Sequence, residues 1–302
     1  MSRTGALLVV GDVVTDVVAR HRAPLAPATD TAAAIRTLPG GAGANAACWA
    51  ARSGHGDVRM LGRVGAESAG WHERALTAAG VRPLLVTDPD APTGTVIALV
   101  DAAAERTFLT DGGAVLRLCP ADWSAGLLDG VAALHLSGYL FFAPSSRAAA
   151  LLALRDARAA GVPVSVDPAS AGFLARLGPE RFLRAVAGVS LLLPNADEAR
   201  LLTGAPDAET AAGELSRRVP LVVVTLGAAG ALVAEAGAVT ARVPAPPVAP
   251  ELRVDSTGAG DAFTGAFLAA RLAGADPARA AGAGCAAGAE AVTRVGGRPP
   301  SV

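Results

Sequence analysis

A chain of 302 residues that is 52% hydrophobic is long enough for one large α/β domain, and too apolar for disorder despite 35 Gly and 21 Pro. Its net charge of −1, with only 18% charged residues and no basic block, excludes the clustered positive surface by which proteins meet nucleic acid or an anionic membrane. Cys48, Cys119 and Cys285 are scattered, form no metal-type spacing and read as reduced core thiols.

The first apolar run, Ala6 to Val10, is too short for a signal segment and stops at Gly11-Asp12. Nowhere do about 18 apolar residues run without Gly, Pro or charge, so no membrane span and a cytoplasmic location are expected. Residues 7–10 read as a buried parallel strand. An Ala-rich helix follows Gly-Gly over 40–53, then a strand at 58–61 and a helix over 68–79. Residues 93–101 and 106–110 alternate in polarity beside turn residues and read as a hairpin outside the main rhythm. From there strands alternate with helices: a strand at 134–136, a helix at 145–160, and strands at 162–166, 189–193 and 221–225. The Pro-rich stretch 244–250 reads as a loop, and helices over 259–273 and 277–293 finish the chain. Such alternation implies a parallel sheet covered on both faces, with ligands beyond the carboxyl ends of its strands. Asp12, Asp16, Asp167, Asn195, Thr225 and Gly227 all fall at such ends.

The strongest chemical signal is the run Asp255-Ser-Thr-Gly-Ala-Gly-Asp261. Gly258, Ala259 and Gly260 lead into a helix, whose first N–H groups and positive dipole end receive phosphate. A carboxylate in that first turn suits phosphoryl transfer, because the acceptor hydroxyl needs a base. The bland alternative is a helix entry with Asp261 only balancing the dipole. Gly40-Gly41-Ala-Gly43-Ala-Asn45 exposes an amide able to bind hydroxyls, or else serves helix–sheet packing. A dinucleotide loop, and with it an NAD-dependent oxidoreductase, is a weaker reading, since no matching ribose-binding acid follows. Asn195 and Glu198 lie on one helix face and could order water around Mg²⁺; the alternative is a helix cap. Asp12 reads equally as a ligand or a turn cap. Tyr139 lines a pocket or packs in the core, and Trp49 is a core residue. Asp167 stabilises the site or caps a turn. Arg106 meets an anionic substrate or stays solvated. The four histidines form no spaced pair and receive no catalytic role.

Taken in order, GDVVTD at 11–16, GGAGANAA at 40–47, GRVG at 62–65, PNADEARLLTG at 194–204, VTLGAAG at 224–230, DSTGAGDAF at 255–263 and AVTRVGGRPP at 291–300 resemble the ribokinase-like (PfkB) family of carbohydrate kinases. The resemblance spans nearly the whole chain and implies one domain over 1–302. Its fold would be a doubly wound, mostly parallel sheet sandwiched by helices, with a small β lid formed by parts of 13–38 and 93–110. It implies an ATP-dependent kinase acting on a hydroxyl, most simply a primary one, of a small sugar or sugar derivative. A nucleoside kinase of the same family is the alternative, and a non-catalytic ligand-binding relative a more remote one. Asp261 would be the base, with Gly258, Ala259 and Gly260 as the anion hole. Asp12, Asp16, Gly41 and Asn45 would hold the substrate. Asn195, Thr225, Gly227 and Gly230 would serve the nucleotide, and Glu198 the Mg²⁺ environment. Asp255, Thr257, Ala291, Arg294 and Gly296 resemble a monovalent-cation site for K⁺. A homodimer through the lid is a further expectation. Two departures stand out: Ala42 replaces the Lys of a GGKGAN stretch, which speaks against ribose, and Pro300 stands where a Ser is expected, with Ser301 next to it.

Overall fold

The computed structural model describes residues 5–102 and 106–300. The Arg106 side chain and Ser301, both weighed above, lie outside the described residues. In chain order the strands are β1 (Ala6–Val10), β2 (Val14–His21), β3 (Ala33–Gly40), β4 (Val58–Gly65), β5 (Val81–Asp88), β6 (Gly94–Val100), β7 (Arg106–Asp111), β8 (Val131–Ser137), β9 (Val164–Asp167), β10 (Leu191–Leu192), β11 (Leu221–Thr225), β12 (Ala231–Glu235) and β13 (Ala238–Val243). The helices are α1 (Ala42–Arg52), α2 (Ala69–Ala78), α3 (Pro144–Ala159), α4 (Ala171–Leu177), α5 (Pro179–Ala185), α6 (Ala196–Thr203), α7 (Ala208–Leu215), α8 (Ala259–Leu272) and α9 (Pro277–Ala291).

The main sheet runs β13-β12-β11-β10-β9-β8-β1-β4-β5. It is parallel from β11 to β5, with β12 and β13 antiparallel at one edge. The two-residue period of a strand divides β1 between two cores. Leu8 and Val10 pack with α3 to α7 on one face, and Leu7 and Val9 pack with α1, α2, α8 and α9 on the other. Each fully buried Leu or Val contributes about 1.5–3 kcal/mol of burial free energy. Covering both faces explains why the central strands read as continuous apolar runs.

A second sheet, β3-β2-β6-β7, carries the hairpin expected at 93–110 as its β6–β7 pair. Val18, Ala98 and Val100 form its buried patch, against Leu38 and Val295. The helix expected from residue 40 begins at Ala42, because Gly40 ends β3 and Gly41 turns the chain with φ 99°. A Cβ at Gly41 would stand 2.4 Å from the Asp12 carbonyl oxygen. The strand expected at 189–193 shrinks to Leu191–Leu192.

Gly265 sets how closely α8 lies on α1. A Cβ there would fall 2.3 Å from the Ala46 carbonyl oxygen and 2.8 Å from the Ala50 nitrogen. Both atoms are backbone and cannot swing aside. Gly265→Ala is therefore expected to lower stability by about 1–3 kcal/mol, the usual cost of overpacking. Equilibrium denaturant unfolding reads it, and an unchanged midpoint would contradict the tight α1–α8 contact.

Candidate active site

The carboxyl ends of β1, β8, β9 and β11 open toward the N-termini of α1 and α8, so one edge of the sheet gathers the polar residues. Asp261 lies in the first turn of α8. The Asn45 amide donates from Nδ2 to Asp261 Oδ2 at 2.8 Å, across 216 residues of sequence. Burial raises the Asp261 carboxyl well above the ordinary range; the Asn45 hydrogen bond opposes this, and the charges of Asp167, Asp12 and Asp16 add to it.

The helix N-terminus beside Asp261 is open. Gly258 caps α8 in the left-handed conformation with φ 74°. The N–H groups of Gly258 and Gly260 have no hydrogen-bond partner among the described residues, whereas Ala259 N–H donates to Ser256 O at 3.3 Å. The three expected amides are thus not equivalent: two are unengaged and the middle one closes the turn.

A cavity of about 610 Å³ begins at Ala259 and Gly260; Gly258 is not among its lining residues. Its lining includes Thr225, Gly227, Gly230, Asp255, Ala259 and Gly260, six of the expected residues, together with the apolar Val248 and Val292. Arg20 and Arg253 also line it and escaped the sequence reading. Arg20 reaches across from β2 to the Val254 carbonyl at 3.3 Å. With the Gly260 N–H and two arginines set among apolar walls, the cavity suits a nucleotide in size and character.

Asn195 is not among the lining residues. It and Glu198 form the capping box that was the alternative reading: Glu198 N–H donates to Asn195 Oδ1 and Asn195 N–H to Glu198 Oε2, both at 2.9 Å. Glu198 is buried, which raises its carboxyl, and the charge of Asp167 raises it further. Asp167 likewise takes its cap alternative, accepting Ala169 N–H at 2.9 Å, but its second oxygen accepts the Thr264 hydroxyl of α8 at 3.0 Å. Among the described residues no cluster of three or more His, Cys, Asp or Glu side chains could hold a metal ion. A Mg²⁺ there would accordingly be held by phosphate and water more than by protein, its usual habit.

A second group of polar residues comes from β2, α1 and the segment after α9. Asp12 is 5% exposed and is spent on α1, accepting Ala42 N–H at 2.6 Å, Gly43 N–H at 3.2 Å and the Ser137 hydroxyl at 2.7 Å. Of its two readings the geometry gives the cap. The Asp16 carboxyl, by contrast, has no hydrogen-bond partner among the described residues, and it is pushed up to about 7, first by burial and then by the Asp12 charge; Arg298 opposes this and Asp255 adds to it. Tyr139 sits beside Phe142 and Phe173, with ring centroids 6.0 and 5.7 Å away. Trp49 is buried as expected, and its Nε1 donates to Gly297 O at 2.9 Å.

Asp255 joins the expected cation segments directly. It accepts Thr257 N–H at 2.9 Å and Gly296 N–H at 3.0 Å, while the Ala291 carbonyl accepts Arg294 N–H at 3.1 Å. Protein donors thus already meet both oxygens of the carboxylate that a K⁺ ion would use.

Residues 5–302 match the family described as pfkB family carbohydrate kinase. The fructokinase of Klebsiella pneumoniae is 32% identical over 278 residues, 88% of this chain and 84% of that protein. The ribokinase of Mus musculus is 32% identical over 272 residues, 87% of this chain and 80% of that one. A putative ribokinase II from E. coli, solved in complex with ATP and Mg²⁺, is 26% identical with a TM-score of 0.84, covering 97% of this chain and 94% of that one. No helix among the described residues is long and apolar enough to cross a membrane.

Proposed function

The chain belongs to the pfkB family of carbohydrate kinases, and we propose from its geometry that it moves the γ-phosphoryl group of ATP to a primary hydroxyl of a small sugar or sugar derivative. It is a phosphotransferase with an alcohol group as acceptor. The observation that carries the residue assignment is the Asn45–Asp261 hydrogen bond beside the unengaged Gly260 amide, which lines the cavity, and the unengaged Gly258 amide two residues before it.

In this reading Asp261 takes the proton of the acceptor hydroxyl through the oxygen that Asn45 leaves free. Burial suits it to the task by raising its proton affinity above that of an ordinary carboxylate. The Gly258 and Gly260 N–H groups face the negative charge that grows on the transferred group, without reorganising. Thr225, Gly227 and Gly230 border the nucleotide. When bound, Mg²⁺ neutralises phosphate charge in the neighbourhood of Glu198. Asp16 and the Gly41 turn hold acceptor hydroxyls, and Asn45 orients the base. No step is assigned to K⁺, since Asp255 already ties the two loops together. The second sheet acts as the lid, which excludes water and so limits idle ATP hydrolysis. A cytoplasmic location, a one-domain organisation and a dimer through the lid belong to the same reading; Ile35, Phe108 and Leu109 stand exposed on that sheet.

A panel of ketoses, aldoses, sugar acids and nucleosides with ADP release as readout tests the class. Acceptor-dependent ADP with a sugar supports it, whereas turnover with nucleosides alone would move the assignment to the nucleoside branch. The state of Asp16 adds a pH signature. An acceptor hydroxyl donates best to an ionised carboxylate, so kcat/KM for the acceptor is expected to fall as pH drops through about 7. A flat profile from pH 6 to 8 would remove Asp16 from acceptor binding.

A further inference from the structure

Arg298 was not singled out by sequence, yet it lies at the acceptor end of the site. Its Nη2 donates to the Gly40 carbonyl at 3.3 Å. Its Nε and Nη1 are buried without a partner among the described residues. The Asp16 carboxylate meets the same glycine from another side: a Cβ on Gly40 would fall 2.1 Å from Asp16 Oδ2. Two opposite charges therefore flank one glycine, and no salt bridge joins them. An ion pair would have consumed the carboxylate; a cation that acts on it without pairing leaves both of its oxygens open for hydroxyls.

The Arg298 backbone is fixed in place. Its neighbour Gly297 is wedged between Asn45 and Gly258: a Cβ there would be 2.2 Å from Asn45 Nδ2, and Gly297 Cα lies 2.3 Å from where a Gly258 Cβ would stand. Gly297 O also accepts the Trp49 indole N–H. The remaining charges around Asp16 are mostly of its own sign: Asp12 from the β1–β2 turn, Asp255 from the loop before α8, and Asp261 from α8 itself. His72 of α2 bonds Thr15, the residue before Asp16, at 3.3 Å, and burial holds its imidazole down to about 4, so it supplies no positive charge at neutral pH. Among the described residues, Arg298 is the cation whose charge lowers the Asp16 carboxyl.

We propose that Arg298 is a positioning residue for the acceptor: it fastens the Gly40–Gly41 turn and supplies the positive charge that keeps Asp16 an open, hydroxyl-accepting carboxylate. The proposal rests on the reading of Asp16 as an acceptor ligand, and its tests separate the two. In Arg298→Met the acid limb of kcat/KM for the acceptor is expected to move up by about one pH unit. The acceptor KM then rises several-fold at pH 7, recovers most of the way at pH 9, and KM for ATP stays within about twofold. Arg298→Lys keeps the charge and is expected to hold the limb near its wild-type position. A purely structural role would instead lower kcat at every pH and be rescued by neither route. A second measurement needs no turnover: the Asp16 carboxyl carbon, assigned with Asp16→Asn, is titrated by ¹³C NMR in both proteins. An unmoved Asp16 midpoint in folded Arg298→Met overturns the proposal whatever the acceptor proves to be. A moved midpoint with unchanged acceptor KM overturns Asp16 as an acceptor ligand while leaving its coupling to Arg298 in place.

Discussion

Asp261→Asn is expected to cut kcat by about 10²–10⁴, the usual worth of a positioned general base, with little loss of stability. The substituted amide has nearly the same shape and still accepts one hydrogen bond through its oxygen, so the Asn45 Nδ2 contact at 2.8 Å can persist. Removing a carboxylate from beside Asp167, Asp12 and Asp16 also relieves like-charge repulsion, and a slightly raised melting temperature accompanies the lost activity. The checks are acceptor-dependent ADP release, thermal unfolding and nucleotide binding measured on one preparation. Turnover within tenfold of wild type would strip Asp261 of its role.

Gly258→Ala should be nearly as damaging, for a different reason. The residue sits at φ 74°, where a side chain is strained, and its new Cβ would meet Gly297 Cα at 2.3 Å. The strain alone costs about 1–3 kcal/mol. Relief requires moving either the start of α8 or the 296–298 loop, and both border the base. A fall in kcat of about a hundredfold or more is expected, the scale of a misplaced catalytic group, together with lower stability. Gly260→Ala is the control. Its Cβ would meet no atom within 4 Å and its backbone is helical, so the fold is retained, and any defect would arise in the cavity where the phosphates belong. If Gly258→Ala kept wild-type kinetics, the close contact between α8 and the C-terminal loop would have no functional weight.

Much of the main sheet was legible because buried parallel strands announce themselves as β-branched runs ending in turn residues. β1, β8 and β11 were readable in this way. β5 was not, since its VRPLLVTD carries Arg and Pro at the sheet edge and has half-buried positions. β12 and β13 break the βα rhythm as an antiparallel edge. In the second sheet, β3 exposes most of its side chains and so shows no core face in sequence. Asp261 and the turn before it stood out in the sequence because Gly-rich helix starts with an adjacent carboxylate are local features. Partnerships were not local. Nothing in Asp12 or Asn195 says whether a side chain turns to a helix end or to a ligand, and the structure turned both to helix ends. Arg298 was hidden for the same reason: its significance lies in its proximity to Asp16, 282 positions earlier in the chain (298 − 16).

The contacts at Gly297 and Asn45 also bear on when the enzyme acquires activity. Trp49 and Gly297 are separated by 248 residues, and Asn45 and Asp261 by 216. If Asp261 is the base, as proposed, a growing chain that has made Asn45 but not yet Asp261 and Gly297 holds no aligned carboxylate. Hydrolysis of ATP is then expected only after the segment around Gly297 has docked on Trp49.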